Sequence, residues 1–151
     1  MPFKVLQSYP LHGKSFIPMQ HLTDLNYSEV INFDEDDFIV PGPGALDGIR
    51  KCCGILPSDI SASDIIRVCV EDQEKFFEAV GKPPVRLLGK RRLHAIDVQN
   101  LFCETDKYAR KAHPEFNLER TEIKRTFTVT GPLPKPFFPP KWNLNNPTEV
   151  Y

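Results

Sequence analysis

No apolar run in the sequence reaches the roughly 18 residues a membrane-crossing helix needs. The opening, Met1-Pro2-Phe3-Lys4-Val5-Leu6, has neither the apolar core of a secretory leader nor the arginine-rich pattern of a transit peptide. The expectation is a soluble, intracellular protein without membrane partners, nuclear in a eukaryote and cytoplasmic otherwise. Net charge is also missing: Lys+Arg 19 against Asp+Glu 20 leaves −1, so no whole-molecule field draws the chain to nucleic acid or membrane. Any anion-binding surface has to be local. Cysteine is sparse, and adjacent Cys52 and Cys53 with distant Cys69 and Cys103 do not have zinc or iron–sulfur spacing. Buried thiols in a reducing compartment are expected, with no metal and no cofactor. The sequence contains no Gly-x-x-x-x-Gly-Lys-Ser/Thr loop, no nucleophile elbow and no internal repeat.

What is present suits one domain with a real core: 151 residues, 40% hydrophobic and 11% aromatic. The chain is organised around residues 36–54, Asp-Asp-Phe-Ile-Val-Pro-Gly-Pro-Gly-Ala-Leu-Asp-Gly-Ile-Arg-Lys-Cys-Cys-Gly. Alternating prolines and glycines over Val40–Gly44 define a tight hairpin. Ala45, Leu46, Ile49, Cys52 and Cys53 recur at helical spacing after it, and Gly54 with Pro57 marks the stop. The amides of Gly44 and Ala45 would then stand free at a helix N-terminus, suited to a phosphate oxygen or a carboxylate, although a Gly/Pro turn that opens a helix is also an ordinary connector.

Four principal helices are expected, near 15–31, 44–53, 62–80 and 92–112, so the fold class is all-α. In the first, Ser15 is a candidate cap, Pro18 sits in the first turn, and the end falls near Asn26 or Asn32. The run Asp34-Glu35-Asp36-Asp37 reads as a solvated loop. Ser61 to Asp64 has the form of a capping box, and Gly81 with Pro83-Pro84 ends that helix. Between Lys82 and Arg92 five cations stand without an acid, so Lys90, Arg91 and Arg92 are candidates for contacting nucleic-acid phosphates, against the alternative of a solvated basic loop. In the last helix Val98, Leu101, Phe102, Thr105, Ala109 and Ala112 share the expected apolar face. Glu104 with Lys107 and Asp106 with Arg110 have the spacing of surface ion pairs, and Asn100 with Glu104 can hydrogen-bond a base.

Residues 1–125 are expected to form the helical domain and 126–151 a Pro-rich extended tail. Phe127-Thr128-Val129 is a possible short strand. The prolines beyond it favour polyproline II, and Phe137, Phe138 and Trp142 either strap the tail to the body or dock on a partner.

Three series of residues carry a resemblance. The first is Tyr9-Pro10…Gly13…Phe16…Gln20…Asp24-Leu25-Asn26-Tyr27-Ser28, and the second Asp37-Phe38…Gly42-Pro43-Gly44-Ala45…Gly48-Ile49. The third is Asp97…Gln99-Asn100…Cys103-Glu104…Asp106-Lys107-Tyr108…Arg110. Together they resemble the helical domain of 5-hydroxymethyluracil DNA kinases, grouped with putrescinyl-thymine pyrophosphorylases, over roughly residues 9–112. The resemblance implies a helix-hairpin-helix, DNA glycosylase-like helical domain acting in thymine hypermodification, with modified DNA as a partner. Such domains carry more helices before the Tyr-Pro…Gly turn, so a partial copy is expected. Without a P-loop, the kinase belongs to another polypeptide or domain.

Two functional readings follow, besides a protein-interaction domain that uses the tail. In the first the chain binds DNA or recognises the modified base, through Gly42, Gly44, Ala45, Lys90, Arg91, Arg92, Asn100 and Lys107. In the second it is an enzyme that replaces a pyrophosphate leaving group on the base with an amine, positioned by an acid such as Asp24 or Glu104. Base excision is not expected, because Phe38-Ile39-Val40 runs straight into the hairpin where glycosylases place a carboxylate. Asp36 and Asp37 come too early, and Asp47 lies one turn into the helix.

Overall fold

The computed structural model describes residues 16–123, 131–132 and 135–145, and among them all regular structure is helical. Five α-helices follow in order: α1 (Phe16–Asn26), α2 (Pro43–Cys53), α3 (Ala62–Glu71), α4 (Gln73–Ala79) and α5 (Ala95–Ala112). Single 3-10 turns lie at Leu88–Lys90, Pro114–Phe116 and Pro140–Trp142. The Ser15 cap, the Tyr9–Gly13 turn and the strand expected at Phe127–Val129 fall outside the described residues. None of the helices described is long and apolar enough to cross a membrane.

Local chemistry sets most boundaries. Pro43 occupies the first turn of α2 behind an extended Gly42, and Gly54 closes that helix in the left-handed region at φ 75°. Ser61 and Asp64 form a reciprocal capping box on α3: the Ser61 hydroxyl accepts from the Asp64 amide, and the Asp64 carboxylate accepts from the Ser61 amide. α1 stops at Asn26 because the buried Asn26 side chain turns to the backbone of Phe33, donating to its carbonyl and accepting from its amide, both at 3.1 Å.

The single helix expected over 62–80 breaks at Asp72. There Gln73 is buried and uses its amide in the same way, donating to the carbonyls of Val70 and Leu93 and accepting from the Leu93 amide. A continuous helix would carry Gln73 away from Leu93 and leave the Leu93 amide and carbonyl without this partner. The contact fixes the approach to α5, which begins at Ala95 rather than at residue 92.

Met19, Ile39, Ile49, Ile66, Val70, Leu93, Ala95 and Val98 make the core. The tightest packing is between α2 and α5. A Cβ on Gly48 would lie 2.0 Å from the Phe102 carbonyl oxygen, and one on Gly44 2.5 Å from the Cys103 sulfur. Two glycines one helical turn apart therefore let the α2 backbone rest on α5. This approach rotates α2 relative to expectation: Leu46 is half-exposed, and Cys52 and Cys53 are exposed instead of buried.

The register of α5 differs as well. Leu101, Thr105 and Ala112 face solvent, whereas Ala95, Val98, Gln99, Asp106, Ala109 and Arg110 are buried. The Asp106–Arg110 pair is thus an interior ion pair and not surface support. Asp106 Oδ1 lies 2.9 Å from Lys51 Nζ and Oδ2 3.0 Å from Arg110 Nη2, with the three side chains 1%, 5% and 4% exposed. Arg110 also donates to the Glu122 carbonyl. Arg120 Nη1 reaches Asp47 Oδ2 at 3.6 Å and Asp106 Oδ2 at 3.9 Å. Lys51, Arg110 and Arg120 meet Asp47 and Asp106, so each buried charge has an opposite neighbour, as charges withdrawn from water require.

Candidate nucleic-acid interface

The tight hairpin expected over residues 40–44 is not formed: Gly42 is extended at φ −77°, Pro43 and Gly44 already belong to α2, and this segment is held from both sides. A Cβ on Gly42 would meet the Phe16 ring at 2.6 Å, Gly44 rests on Cys103, and Ala45 is 1% exposed. Glycine at these positions serves close helix packing, and Gly42, Gly44 and Ala45 are all buried.

The basic loop is bound to the acidic run. Glu35 Oε2 accepts from Arg91 Nη1 at 3.0 Å, and Asp97 Oδ2 lies 3.4 Å from Arg91 Nη2. The Arg91 guanidinium lies 4.1 Å above the Trp142 ring, whose Nε1 donates to Glu35 Oε1 at 3.0 Å, while Tyr27 meets the same ring edge-on at 5.3 Å. Asp36 Oδ1 accepts from the Ala95 amide at 2.8 Å and so caps α5 from a distant loop. Its other oxygen lies 3.1 Å from His94 Nδ1 and 3.3 Å from Arg92 Nη2. A loop expected to be solvated thus closes the N-terminus of α5, neutralises Arg91 and anchors the tail through Trp142. Sequence inspection missed these roles because the partners are far apart in the chain. The opposite signs of residues 34–37 and 90–92 were the available signal.

Burial first, then the Glu35 and Asp97 carboxylates, pushes the Tyr27 hydroxyl from an ordinary 10.0 up to about 12. A raised tyrosine pKa favours the neutral form in the folded state. This contribution to stability is complete below the unfolded pKa and is lost as pH rises through the folded value. We expect ultraviolet titration to show one tyrosine ionising near 12, with stability falling between about pH 10 and 12. In Tyr27→Phe the high-pH ionisation should disappear.

The remaining candidates are dispersed. Lys90 is exposed in the left-handed region at φ 58° and has no ion-pair partner among the described residues, and the Arg92 side chain keeps 46% exposure. Asn100 lies on the outer face of α5 and accepts from the Gln99 amide at 2.9 Å. Glu104 and Lys107 pair on the solvent side of the same helix. Asp24 lines a groove beside the tail that does not include Glu104, so the two carboxylate candidates do not share that groove. Among the described residues no group of three or more His, Cys, Asp or Glu could hold a metal ion.

An all-helical module closed by ion pairs is the class of protein that the described residues define. The family model described as 5-hmdU DNA kinase, helical domain, matches residues 2–118, and the chain belongs to that family. The family associates it with DNA modification. No curated protein and no solved structure matches the chain.

Proposed function

We propose that the chain is a DNA-binding, modified-base-recognition module that works with a kinase located in another domain or polypeptide. The family match over residues 2–118 carries this reading. On this reading the Pro41–Gly44 segment and α2 belong to the region that resembles the helix-hairpin-helix of DNA glycosylases. Lys90 and Arg92 supply the phosphate affinity, with Asn100 and Lys107 further along α5. Arg91 holds the loop in shape, since Glu35, Asp97 and Trp142 already occupy its guanidinium. Base excision is not part of the function: Asp36 is committed to the α5 N-terminus and Asp47 to Arg120 and Arg50.

The test is fluorescence anisotropy with duplex DNA containing 5-hydroxymethyluracil or thymine, over a salt series. Affinity should fall with salt and favour the modified duplex. Lys90→Ala with Arg92→Ala should lower the slope of log K against log salt by about 2, as expected when two phosphates are no longer neutralised. Absence of binding, or an unchanged slope in the double variant, would overturn the reading.

A further inference from the structure

A groove of about 910 Å³ lies between the C-terminal end of α1 and the tail segment 137–142, lined by Asp24, Tyr27, Glu29, Val30, Phe137 and Trp142 among others. Its apolar walls are unusually open to solvent, Val30 being 91% and Phe137 78% exposed. The tail wall is stiff. Pro139 and Pro140 fix the backbone, and the Asn145 side chain brackets Phe138, accepting from its amide at 2.8 Å and donating to its carbonyl at 2.6 Å. Trp142 is pinned by Glu35 and Arg91 behind it. A wall ordered in advance lowers the entropy cost of taking up a ligand.

The charge of the groove decides what fits. Asp24 and Glu29 are exposed, and neither has an ion-pair partner among the described residues. Among the described residues no lysine or arginine lines the groove. Aromatic rings alone would suit stacked bases, but two unpaired carboxylates repel a phosphodiester chain. Rings beside carboxylates favour cations, and the Trp142 ring already holds one guanidinium on its inner side. A lining that combines two acids with Val30 and Phe137 suits a segment carrying both basic and apolar side chains.

We infer that this groove docks a basic, extended peptide segment of a partner protein, its lysine or arginine side chains on Asp24 and Glu29 and its apolar side chains against Val30 and Phe137.

Trp142 is the one tryptophan in the sequence, so the protein reports on the groove by itself. A fluorescein-labelled octapeptide of alternating lysine and leucine is titrated by anisotropy, and the unlabelled peptide by Trp142 emission; a glutamate–leucine octapeptide is the control. The lysine peptide should bind saturably and shift the emission. Asp24→Asn with Glu29→Gln should weaken it about tenfold, and Phe137→Ala about fivefold, the size expected for solvent-exposed interactions. All three side chains are exposed, so these variants keep the fold. Equal binding of the glutamate peptide, unchanged affinity in the carboxylate double variant, or a shift of Trp142 emission by single-stranded DNA in place of the peptide would overturn the proposal. Weaker binding in the carboxylate variant with none in Phe137→Ala would reduce it to diffuse charge attraction and overturn it as well.

Discussion

Gly48→Ala is expected to cost about 3 kcal/mol or more, at a position where replacing a mid-helix glycine by alanine ordinarily gains about 1 kcal/mol. The sign reverses because the new methyl would lie 2.0 Å from the Phe102 carbonyl oxygen. A backbone carbonyl inside α5 cannot rotate away, so the two helices would have to separate. That separation would loosen the contact between Lys51, one turn further along α2, and Asp106. Urea unfolding followed by far-UV circular dichroism measures the cost, and a raised midpoint would show that the helices do not meet through Gly48. Gly44→Ala is the informative companion. Its obstacle is the Cys103 sulfur at 2.5 Å, a side-chain atom that can move, so the destabilisation should be smaller and largely recovered by Cys103→Ala. The comparison also bears on binding experiments, since weaker DNA binding by Gly44→Val would report broken helix packing before it reported a blocked phosphate.

Asp106→Ala carries the second large effect, a destabilisation of about 3–5 kcal/mol. The variant leaves the Lys51 ammonium and the Arg110 guanidinium withdrawn from water, with side chains 5% and 4% exposed and without the carboxylate between them. The Asp47 carboxylate interacts with Arg120 and Arg50 and offers them no substitute. Replacing the group together, Lys51→Met with Asp106→Leu and Arg110→Met, should recover most of the stability, because well-packed apolar side chains avoid the desolvation that the ions must offset. Glu104→Ala, which breaks an exposed pair on the same helix, should change stability by less than about 0.5 kcal/mol. Equal destabilisation in Asp106→Ala and Glu104→Ala would place Asp106 in solvent and contradict the buried arrangement.

The contrast between those two carboxylates shows how far the sequence could be read. Glu104–Lys107 and Asp106–Arg110 look alike in sequence, because the spacing that brings two charges together on a helix is the same in water and in the interior. What separates them is the close approach of α2, and that depends on Gly48, far earlier in the chain. Asp106 does sit one turn from Phe102 and two from Val98, so its place on the inner face was present in the spacing and was obscured by its charge. Helix ends that depend on neighbours in sequence were legible: the Ser61–Asp64 box, the start of α2 to within a residue and Gly54 at its end. The break at Asp72 was not, because it serves Leu93, and neither was the role of Glu35 and Asp36, whose partners lie beyond residue 90. Of the candidate site residues, exposure of Lys90 and Lys107 was readable from their flanks. Burial of Gly42, Gly44 and Ala45 was not, since a Gly/Pro segment built to approach a ligand and one built to approach a helix use the same residues.

The family match ends at residue 118, yet the Arg120 guanidinium and the Glu122 carbonyl, which complete the charge balance around Asp106, lie just past it. The border inherited as sequence similarity and the border needed for mechanical integrity therefore differ by a few residues. A gene fusion joined at the edge of similarity would transplant the helices while leaving Arg110 without its carbonyl and Asp47 without its outer cation. A fusion that keeps this charge balance therefore has to carry the chain through residue 122.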